Sequence, residues 1–171
     1  MVRHSYVLLE LLFPCAVAPT HGQRIGMDPV PAYIPPRESP ATAPRLAARY
    51  PLQLISPPAN SFLNTSFSHL PSFLKSEKQP FIEINTADAE HRDISDGAMV
   101  RVWNDRGECT LVARVSNRVK PGVAVALSIW WNKLSPGRGN VNCTVSQEVT
   151  DLGGGATFYD NLVEVAALGA D

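Results

Sequence analysis

Hydrophobic and polar side chains alternate along much of the chain from residue 50 onward. Alternation with a period of two is typical of strands that bury one face, because successive side chains point to opposite sides. The pattern predicts six short strands, at 51–56, 81–85, 98–104, 108–116, 123–128 and 161–167. Six short strands joined by hairpins and one long crossover, through 129–160, suit a small closed barrel. The expected fold class is therefore mainly β.

The most regular part of this pattern lies between residues 82 and 123. Its return strand is expected to present one apolar face, formed by Cys109, Leu111, Ala113 and Val115. Residues 104–107 read Asn-Asp-Arg-Gly, a hairpin sequence in which glycine can supply the positive φ that such turns need. Short helices are predicted near 66–74 and 87–93. Asn85 or Thr86 can cap the second helix, because its side chain accepts from free amides of the first turn.

Composition agrees with one modest domain, which we place at 50–171. The chain has 171 residues and 44% hydrophobic content, enough for a core of its own. Its 15 prolines crowd into the first half, so residues 25–49 are predicted to form an extended linker rather than a helix. The formal net charge of −1 gives no field for attracting nucleic acid or an anionic membrane, and neither partner is expected.

The first 24 residues remain unassigned. Arg3 followed by YVLLELLFPCAVA resembles a secretory signal with a cleavage site at 16–18, but Glu10 and Pro14 interrupt its apolar core. The run is also too short to span a bilayer. We therefore favour the hypothesis that the chain is the tail of a longer protein with a truncated or misassigned start. A cytoplasmic location is expected, with the periplasm as the alternative that a true signal would give.

The three cysteines, Cys15, Cys109 and Cys143, are widely spaced. An odd number does not describe a disulfide framework, and no CxxC pair exists. An iron–sulfur cluster or structural zinc site made by this chain alone is therefore not expected. The spacing favours isolated buried thiols.

Several motifs, in a fixed order, resemble one family. They are DPVPAYIPPRESP, YPLQLISPPANSFLNTSF, the segment 82–123, the pair Trp130-Trp131, Asn142-Cys143-Thr144, Asp151-Leu152-Gly153-Gly154 and LVEVAAL. This order is similar to that of the C-terminal molybdopterin-dinucleotide-binding domain of the molybdopterin oxidoreductases, which include dimethyl sulfoxide reductase, formate dehydrogenase and nitrate reductase. The resemblance covers the chain from Ile25 onward. It implies a six-stranded double-psi β-barrel with short helical turns, preceded by a proline-rich extended segment.

The resemblance also implies a cofactor, molybdopterin guanine dinucleotide, which itself carries molybdenum or tungsten. The implied partners are the remaining domains of an oxidoreductase catalytic subunit, which hold any protein ligand to the metal. Cofactors carry the redox chemistry and protein orients them, so this chain alone is expected to bind but not to turn over substrate. No catalytic residue and no metal ligand is assigned to it.

The first loop implied to touch the cofactor follows the first strand. Its candidate residues are Asn60, Ser61, Phe62, Leu63, Asn64 and Thr65. Amides and hydroxyls suit a ligand rich in donors and acceptors, and the two apolar side chains could wall the pterin plane. Without the resemblance, the same residues favour an Asx-rich turn that ends in a helix cap, with Asn64 or Thr65 as the N-cap.

The second implied loop lies within 129–160. Its candidates are Trp130, Trp131, Asn140, Asn142 and Thr144, followed by Asp151, Gly153, Gly154, Phe158 and Tyr159. One of the tryptophans is expected in the core, and Ile129 stands where the family has a glycine. Arg138 could neutralise a phosphate or be a solvated loop residue. The glycine run could present amides to an anion or be a plain loop.

The fold is also compatible with a function of another class, because fold does not fix function. Related barrels include self-processing decarboxylases that cleave at Gly-Ser and aspartic protease halves with Asp-Thr-Gly, and neither sequence occurs here. The remaining alternative is a stand-alone recognition or adaptor module without cofactor. Such a module would have no reason to keep both cofactor loops in family order.

Overall fold

A computed structural model describes residues 33–127, 130–150 and 154–169. From Pro36 onward the chain forms one compact unit. Its strands are β1 (Leu52–Ile55), β2 (Phe81–Ile84), β3 (Met99–Trp103), β4 (Glu108–Val115), β5 (Val123–Ala126) and β6 (Leu162–Ala167). They close into a barrel in the order β1-β5-β2-β4-β3-β6, and β6 pairs back with β1. The predicted mainly β, six-stranded closed barrel is confirmed, with each strand within two residues of its predicted bounds.

Two of the six pairings, β1 with β5 and β2 with β4, are parallel, and the other four are antiparallel. It follows that β1, β3 and β5 all run toward the same end of the barrel. The β1–β2 connection, the β3–β4 hairpin and the β5–β6 connection therefore leave the barrel at one end. We call this the loop end; it comprises 56–80, 104–107 and 127–161. All the predicted cofactor residues fall in its first and third segments.

The barrel interior is filled by the inward faces of all six strands. The largest fully buried apolar side chains are Leu52, Leu54, Ile82, Ile84, Leu162, Val100, Val102, Val163 and Val165. Burial of one such side chain contributes about 1.5–3 kcal/mol. On β4, the predicted apolar face is confirmed: Cys109, Leu111 and Ala113 are buried and packed in this core.

In the described part of the chain, three short α-helices accompany the barrel: α1 (Pro44–Ala47), α2 (Pro71–Glu77) and α3 (Thr86–Glu90). Asn85 caps α3, accepting from the Ala87 amide at 2.9 Å, as one of the two predicted caps. The helix predicted at 66–74 was misplaced, because the backbone at Phe67 has a φ of 70° and α2 begins only at Pro71. The segment predicted as extended contains α1, since a proline is tolerated in the first turn of a helix.

The β3–β4 hairpin forms as predicted, with the Asn104 amide donating to the Gly107 carbonyl at 3.0 Å. The predicted reason for Gly107 was wrong, because Gly107 is not among the residues with a positive φ. A Cβ at this position would lie 2.9 Å from the Cys143 carbonyl oxygen. Glycine is thus required by the close approach of the β5–β6 connection. None of the helices in the described part of the chain is long and apolar enough to cross a lipid bilayer.

A buried carboxylate stabilises the barrel wall. Glu83 on β2 is only 7% exposed, and its two oxygens accept from Arg118 Nε at 2.8 Å and Nη2 at 3.0 Å. Ser116 Oγ also donates to it, at 2.5 Å. Burial alone would raise the pKa of Glu83, but the hydrogen bonds from Arg118 and Ser116 outweigh it and hold the pKa below its ordinary value of 4.5.

This carboxylate should make the barrel sensitive to acid. A carboxylate whose pKa is lower in the folded than in the unfolded state stabilises the folded state fully above the ordinary value of 4.5. This stabilisation is lost as the pH falls through the lower folded value. Between pH 5 and 3 the free energy of unfolding should therefore fall more steeply for the wild type than for Glu83→Gln, measured by urea denaturation. Glu148→Gln is the control, because the Glu148 side chain is 67% exposed and its ion pair with Arg37 should contribute little. Equal acid slopes for wild type and Glu83→Gln would contradict the assignment.

Candidate functional site

The β1–β2 connection carries a tight turn at its tip. The Leu63 and Ser66 backbones pair with each other, at 3.2 and 2.8 Å between nitrogen and oxygen. Asn64, inside the turn, has a φ of 52°, a left-handed conformation that asparagine adopts more readily than most residues. The Leu63 and Phe67 side chains are exposed. The tip therefore presents an amide residue and two apolar side chains on one short turn.

The base of this connection is tied to α2. The Ser61 amide donates to Glu77 Oε1 at 2.8 Å, and the Ser61 and Ser76 hydroxyls lie 3.3 Å apart. Asn60, immediately before, is exposed. The N-cap of α2 is Leu70, without a side-chain hydrogen bond, so the alternative in which Asn64 or Thr65 caps the helix is wrong. The polar residues of this loop are thus not explained by helix capping.

Phe62 and Trp130 join the two predicted cofactor loops through a small second core. Their rings meet edge to face, with centroids 4.9 Å apart and an interplanar angle of 78°. Each residue is only 5% exposed, and Ala59, Phe73 and Leu134 pack around them. Because both rings are buried against each other, Phe62 is not available to wall a ligand as proposed from the sequence, and Trp130 is the member of the tryptophan pair that lies in the core. Their role is to hold the loops together.

Trp131, in contrast, is half-buried, and its ring stacks with the ring of His69. The His69 ring lies almost parallel to it, at 14° and 5.3 Å between centroids. Lys133 Nζ lies 4.6 Å from the centroid of the same ring. Neither partner belongs to a recognisable motif, although His69 lies close to the first predicted cofactor loop in the sequence. The structure thus supplies a planar surface with an adjacent positive charge.

Three short 3-10 helices, at 132–134, 136–138 and 141–144, follow the tryptophan pair. Asn140 caps the last of them, since its Oδ1 accepts from the Asn142 amide at 3.0 Å while its Nδ2 donates to Asn132. Both polar atoms of the Asn140 side chain thus have hydrogen-bond partners within this loop. Asn142 and Arg138 are both exposed, and Arg138 has a φ of 57°. Of this group, Asn142 and Arg138 keep side chains that can reach a ligand.

Thr144 has a structural role instead of the predicted ligand contact. It is fully buried; its hydroxyl donates to the Val141 carbonyl at 2.8 Å and accepts from Asn161 Nδ2 at 2.9 Å. Asn104 Nδ2 donates to the Thr144 carbonyl at 2.8 Å and lies 3.1 Å from both Asn161 Oδ1 and the Leu162 carbonyl oxygen. This network, formed by Asn104, Thr144 and Asn161, anchors the β5–β6 connection to the β3–β4 hairpin.

Charged groups extend this anchor to the segment before β1. Arg106 Nε donates to the Thr144 carbonyl at 2.6 Å, and its two terminal nitrogens bind the Glu38 carboxylate at 2.6 and 2.9 Å. At the hairpin tip, Asp105 accepts from Arg49 and from the Tyr50 hydroxyl at 2.8 Å. The hydrogen bond from Arg49 lowers the pKa of Asp105. The hairpin is therefore held on both sides in one position.

The last predicted segment precedes β6 in the chain. Asp151 and Gly153 are outside the described residues. Gly154 is exposed with a φ of 59°, and a Cβ there would meet nothing within 4 Å. Phe158 and Tyr159 are exposed by 57% and 48%, and the Tyr159 carbonyl accepts from Gln53 on β1. The two aromatic side chains thus project from the loop end as open surface.

The exposed side chains of the described part of the loop end are suited to binding. Its exposed amide residues, Asn60, Asn64 and Asn142, offer both donors and acceptors. Two exposed cations, Lys133 and Arg138, lie on the same β5–β6 connection as Asn142. Nowhere in 33–127, 130–150 and 154–169 do three or more His, Cys, Asp or Glu side chains come together as metal ligands. This donor set fits an uncharged heterocycle joined to phosphates.

Comparisons with known proteins point the same way. The model of the Molydopterin dinucleotide binding domain matches residues 52–162. Probable oxidoreductase YoaE of Bacillus subtilis is 36% identical over 156 residues, 91% of this chain and 22% of the relative. Dimethyl sulfoxide reductase DmsA of Escherichia coli is 34% identical over 143 residues, 81% and 17% of the two chains. The chain thus spans less than a quarter of each relative.

Among solved structures, acetylene hydratase from Pelobacter acetylenicus superposes with a TM-score of 0.74. The match covers 87% of this chain and 23% of that chain, at 17% sequence identity. At this identity the similarity concerns the fold: the same barrel occurs as one part of a much longer polypeptide.

Proposed function

The chain belongs to the molybdopterin dinucleotide binding domain family, and from that premise we propose that its loop end holds part of a molybdopterin guanine dinucleotide in a molybdenum or tungsten oxidoreductase. The observation that carries this proposal is the placement of the exposed amides. Asn60 and Asn64 leave the barrel after β1, and Asn142 lies after the parallel neighbour β5, so all three belong to one end. In sheets with parallel strands, ligands commonly bind just beyond the carboxyl ends of those strands.

Each exposed group has a distinct role in this proposal. The amides of Asn64 and Asn142 would orient the pterin or guanine edges, which present paired donors and acceptors. Lys133 and Arg138 would neutralise phosphate oxygens, for which Arg offers a bidentate fork and Lys a point charge. Trp131 with His69 would give a planar base against which a ring can stack. When bound, the cofactor would supply the redox chemistry, and these residues would orient it.

The remaining parts of the oxidoreductase would complete the site. The relatives are several times longer than this chain, and the loop end leaves Leu63, Phe67, Phe158 and Tyr159 exposed. Exposed apolar patches commonly mark contact surfaces. We therefore place the substrate pocket in other domains and expect no turnover by this chain alone. A stand-alone adaptor module would bind no pterin.

Two measurements test the proposal together. The native polypeptide that carries this barrel should be sized by immunoblot of the source cells and then purified. A mass far above 18.6 kDa, with pterin and guanine nucleotide released on denaturation, is the expected result. A polypeptide of that larger size that carries neither compound would refute cofactor binding. A band at 18.6 kDa would direct the same cofactor assay to whichever larger protein copurifies with it.

Replacing the exposed amides should weaken cofactor retention without unfolding the barrel. Asn64→Gly removes the amide and still accepts the φ of 52°, whereas alanine would be strained there. Asn64→Gly and Asn142→Ala in the full enzyme should each lower retained pterin about 5- to 10-fold after dialysis, the loss of roughly one hydrogen bond. Asn117→Ala is the matched control, because Asn117 is exposed on the β4–β5 connection at the opposite end. Retention equal to the control would remove these residues from the site.

A further inference from the structure

Two segments that carry cysteines pack directly against each other. One is the start of β4 with Cys109, and the other is the 3-10 turn 141–144 with Cys143. Cys143 Sγ donates to the Glu108 carbonyl at 2.9 Å, next to Cys109 in the chain. The sequence-based expectation of isolated thiols was therefore wrong, because the fold brings together two cysteines that lie 34 positions apart in the sequence.

Glycines allow this close approach on both sides. A Cβ on Gly107 would lie 3.2 Å from the Cys143 Cβ, and a Cβ on Gly139 would lie 3.4 Å from the Cys109 Cβ. The two backbones thus run within side-chain reach of each other, with one thiol contributed by each. Cys109 is 3% exposed, while Cys143 is partly open to solvent.

The surroundings of the two thiols give them different reactivity. The hydrogen bond between them lowers the pKa of Cys143 and raises the pKa of Cys109, and burial raises the Cys109 value further. The thiolate is the nucleophile in disulfide exchange, so the accessible Cys143 is the thiol that reacts first. Cys109 is then the resolving thiol behind it.

We propose that Cys109 and Cys143 form a reversible disulfide that locks the 141–144 turn onto β4, with a low-molecular-weight disulfide such as oxidised glutathione as the oxidant. The Cys143 thiolate attacks one glutathione sulfur, the glutathione disulfide bond breaks, and one glutathione thiolate leaves. The Cys109 thiol then attacks Cys143 Sγ as it gives up its proton, and the second glutathione leaves as a thiolate that takes up a proton. Two protein thiols lose two hydrogens in total, and one oxidised glutathione becomes two glutathiones.

This modification site is independent of the proposed cofactor. Asn142 lies next to Cys143 in the locked turn, so the disulfide would fix one edge of the loop end to the barrel wall. A reducing agent would release it. The bond is thus a covalent lock on the β5–β6 connection, whatever ligand the loop end binds.

The test uses the full 171-residue chain and its Cys15→Ser variant, in which only the proposed pair remains. Both proteins are reduced, exposed to oxidised glutathione, alkylated and digested with trypsin. Mass spectrometry should find peptide 107–114 linked to peptide 139–171. The link should form about tenfold or more faster in the native chain than in denaturing urea, because folding holds the thiols together. The oxidised chain should also gain about 5–10 °C in Tm.

Matched variants make each outcome decisive. In Cys143→Ser, the buried Cys109 should stay unmodified in the native chain, whereas in Cys109→Ser, Cys143 should stop at the mixed disulfide with glutathione. The proposal is overturned if the Cys15→Ser chain stops at that mixed disulfide or stays unreacted. It is equally overturned if the native chain forms the link no faster than the unfolded one.

Discussion

Trp130→Ala is expected to destabilise the barrel unit by about 3–5 kcal/mol, the cost of truncating a fully buried aromatic side chain. The indole fills the second core, packed edge to face on Phe62 with centroids 4.9 Å apart. Its removal would leave a cavity that the surrounding Leu134 and Phe73 cannot close without moving the loops. Urea denaturation monitored by circular dichroism measures the change in the free energy of unfolding.

The adjacent tryptophan provides the control for this prediction. Trp131 is only half-buried and stacks on the exposed His69, so Trp131→Ala should cost roughly 1 kcal/mol or less. If the proposed function holds, the same variant should lower cofactor retention more than it lowers stability. Equal destabilisation by the two substitutions would contradict the division between a core tryptophan and a surface one.

Asn104→Ala is expected to cost about 2–4 kcal/mol, through the loss of buried hydrogen bonds. Asn104 Nδ2 lies within 3.1 Å of three acceptors, and its Oδ1 accepts from the Arg106 amide at 3.0 Å. Alanine would leave these groups unpaired in a site that excludes water. Denaturation of Asn104→Ala against Asn117→Ala, whose side chain is exposed, gives the comparison. A difference below about 0.5 kcal/mol would show that the network contributes no stability.

A double substitution shows whether the network acts as one unit. Asn161 Oδ1 and Nδ2 bind Asn104 and Thr144, so Asn161→Ala should cost a similar amount. In the double variant Asn104→Ala/Asn161→Ala, the loss of unfolding free energy should be clearly smaller than the sum of the two single losses, because effects within one hydrogen-bond network are not additive. Strict additivity would mean that the two asparagines stabilise separate parts of the loop.

The strands could be predicted from sequence because alternation is a local property. On β4, three buried and three outward positions follow one another with a period of two, and no distant residue is needed to read them. The error in the helix predicted at 66–74 also has a local cause. Phe67 takes a left-handed backbone conformation, which could not be predicted from its residue type. The barrel order also required the family resemblance, because pairing of β1 with β5 joins segments far apart in sequence.

The candidate site was harder to predict, because burial of a polar residue depends on distant partners. Thr144 and Asn142 look equivalent in the motif NVNCT, yet one is fully buried and the other exposed. The difference arises from Asn104 and Asn161, which reach Thr144 from two other parts of the chain. Phe62 and Trp130 show the same effect, since an aromatic residue in a loop can face a ligand or another aromatic ring. Asn142 is exposed, as a ligand contact requires, whereas Phe62 and Thr144 are buried, so the direction of individual side chains could not be read from the motifs alone.

The strand order has a consequence for how the protein is made. Among the described strands, β1 pairs with β5 and β6, so the first of these strands to be synthesised has no partner until β5 follows, and its second partner is the last strand. Pairings between distant segments close slowly, typically within milliseconds to seconds for β-rich domains. Until then Leu52 and Leu54 remain in water, and β1 presents unpaired amides and carbonyls. The barrel should therefore close only after translation has passed residue 167, and truncation before β6 should yield aggregates rather than a smaller barrel.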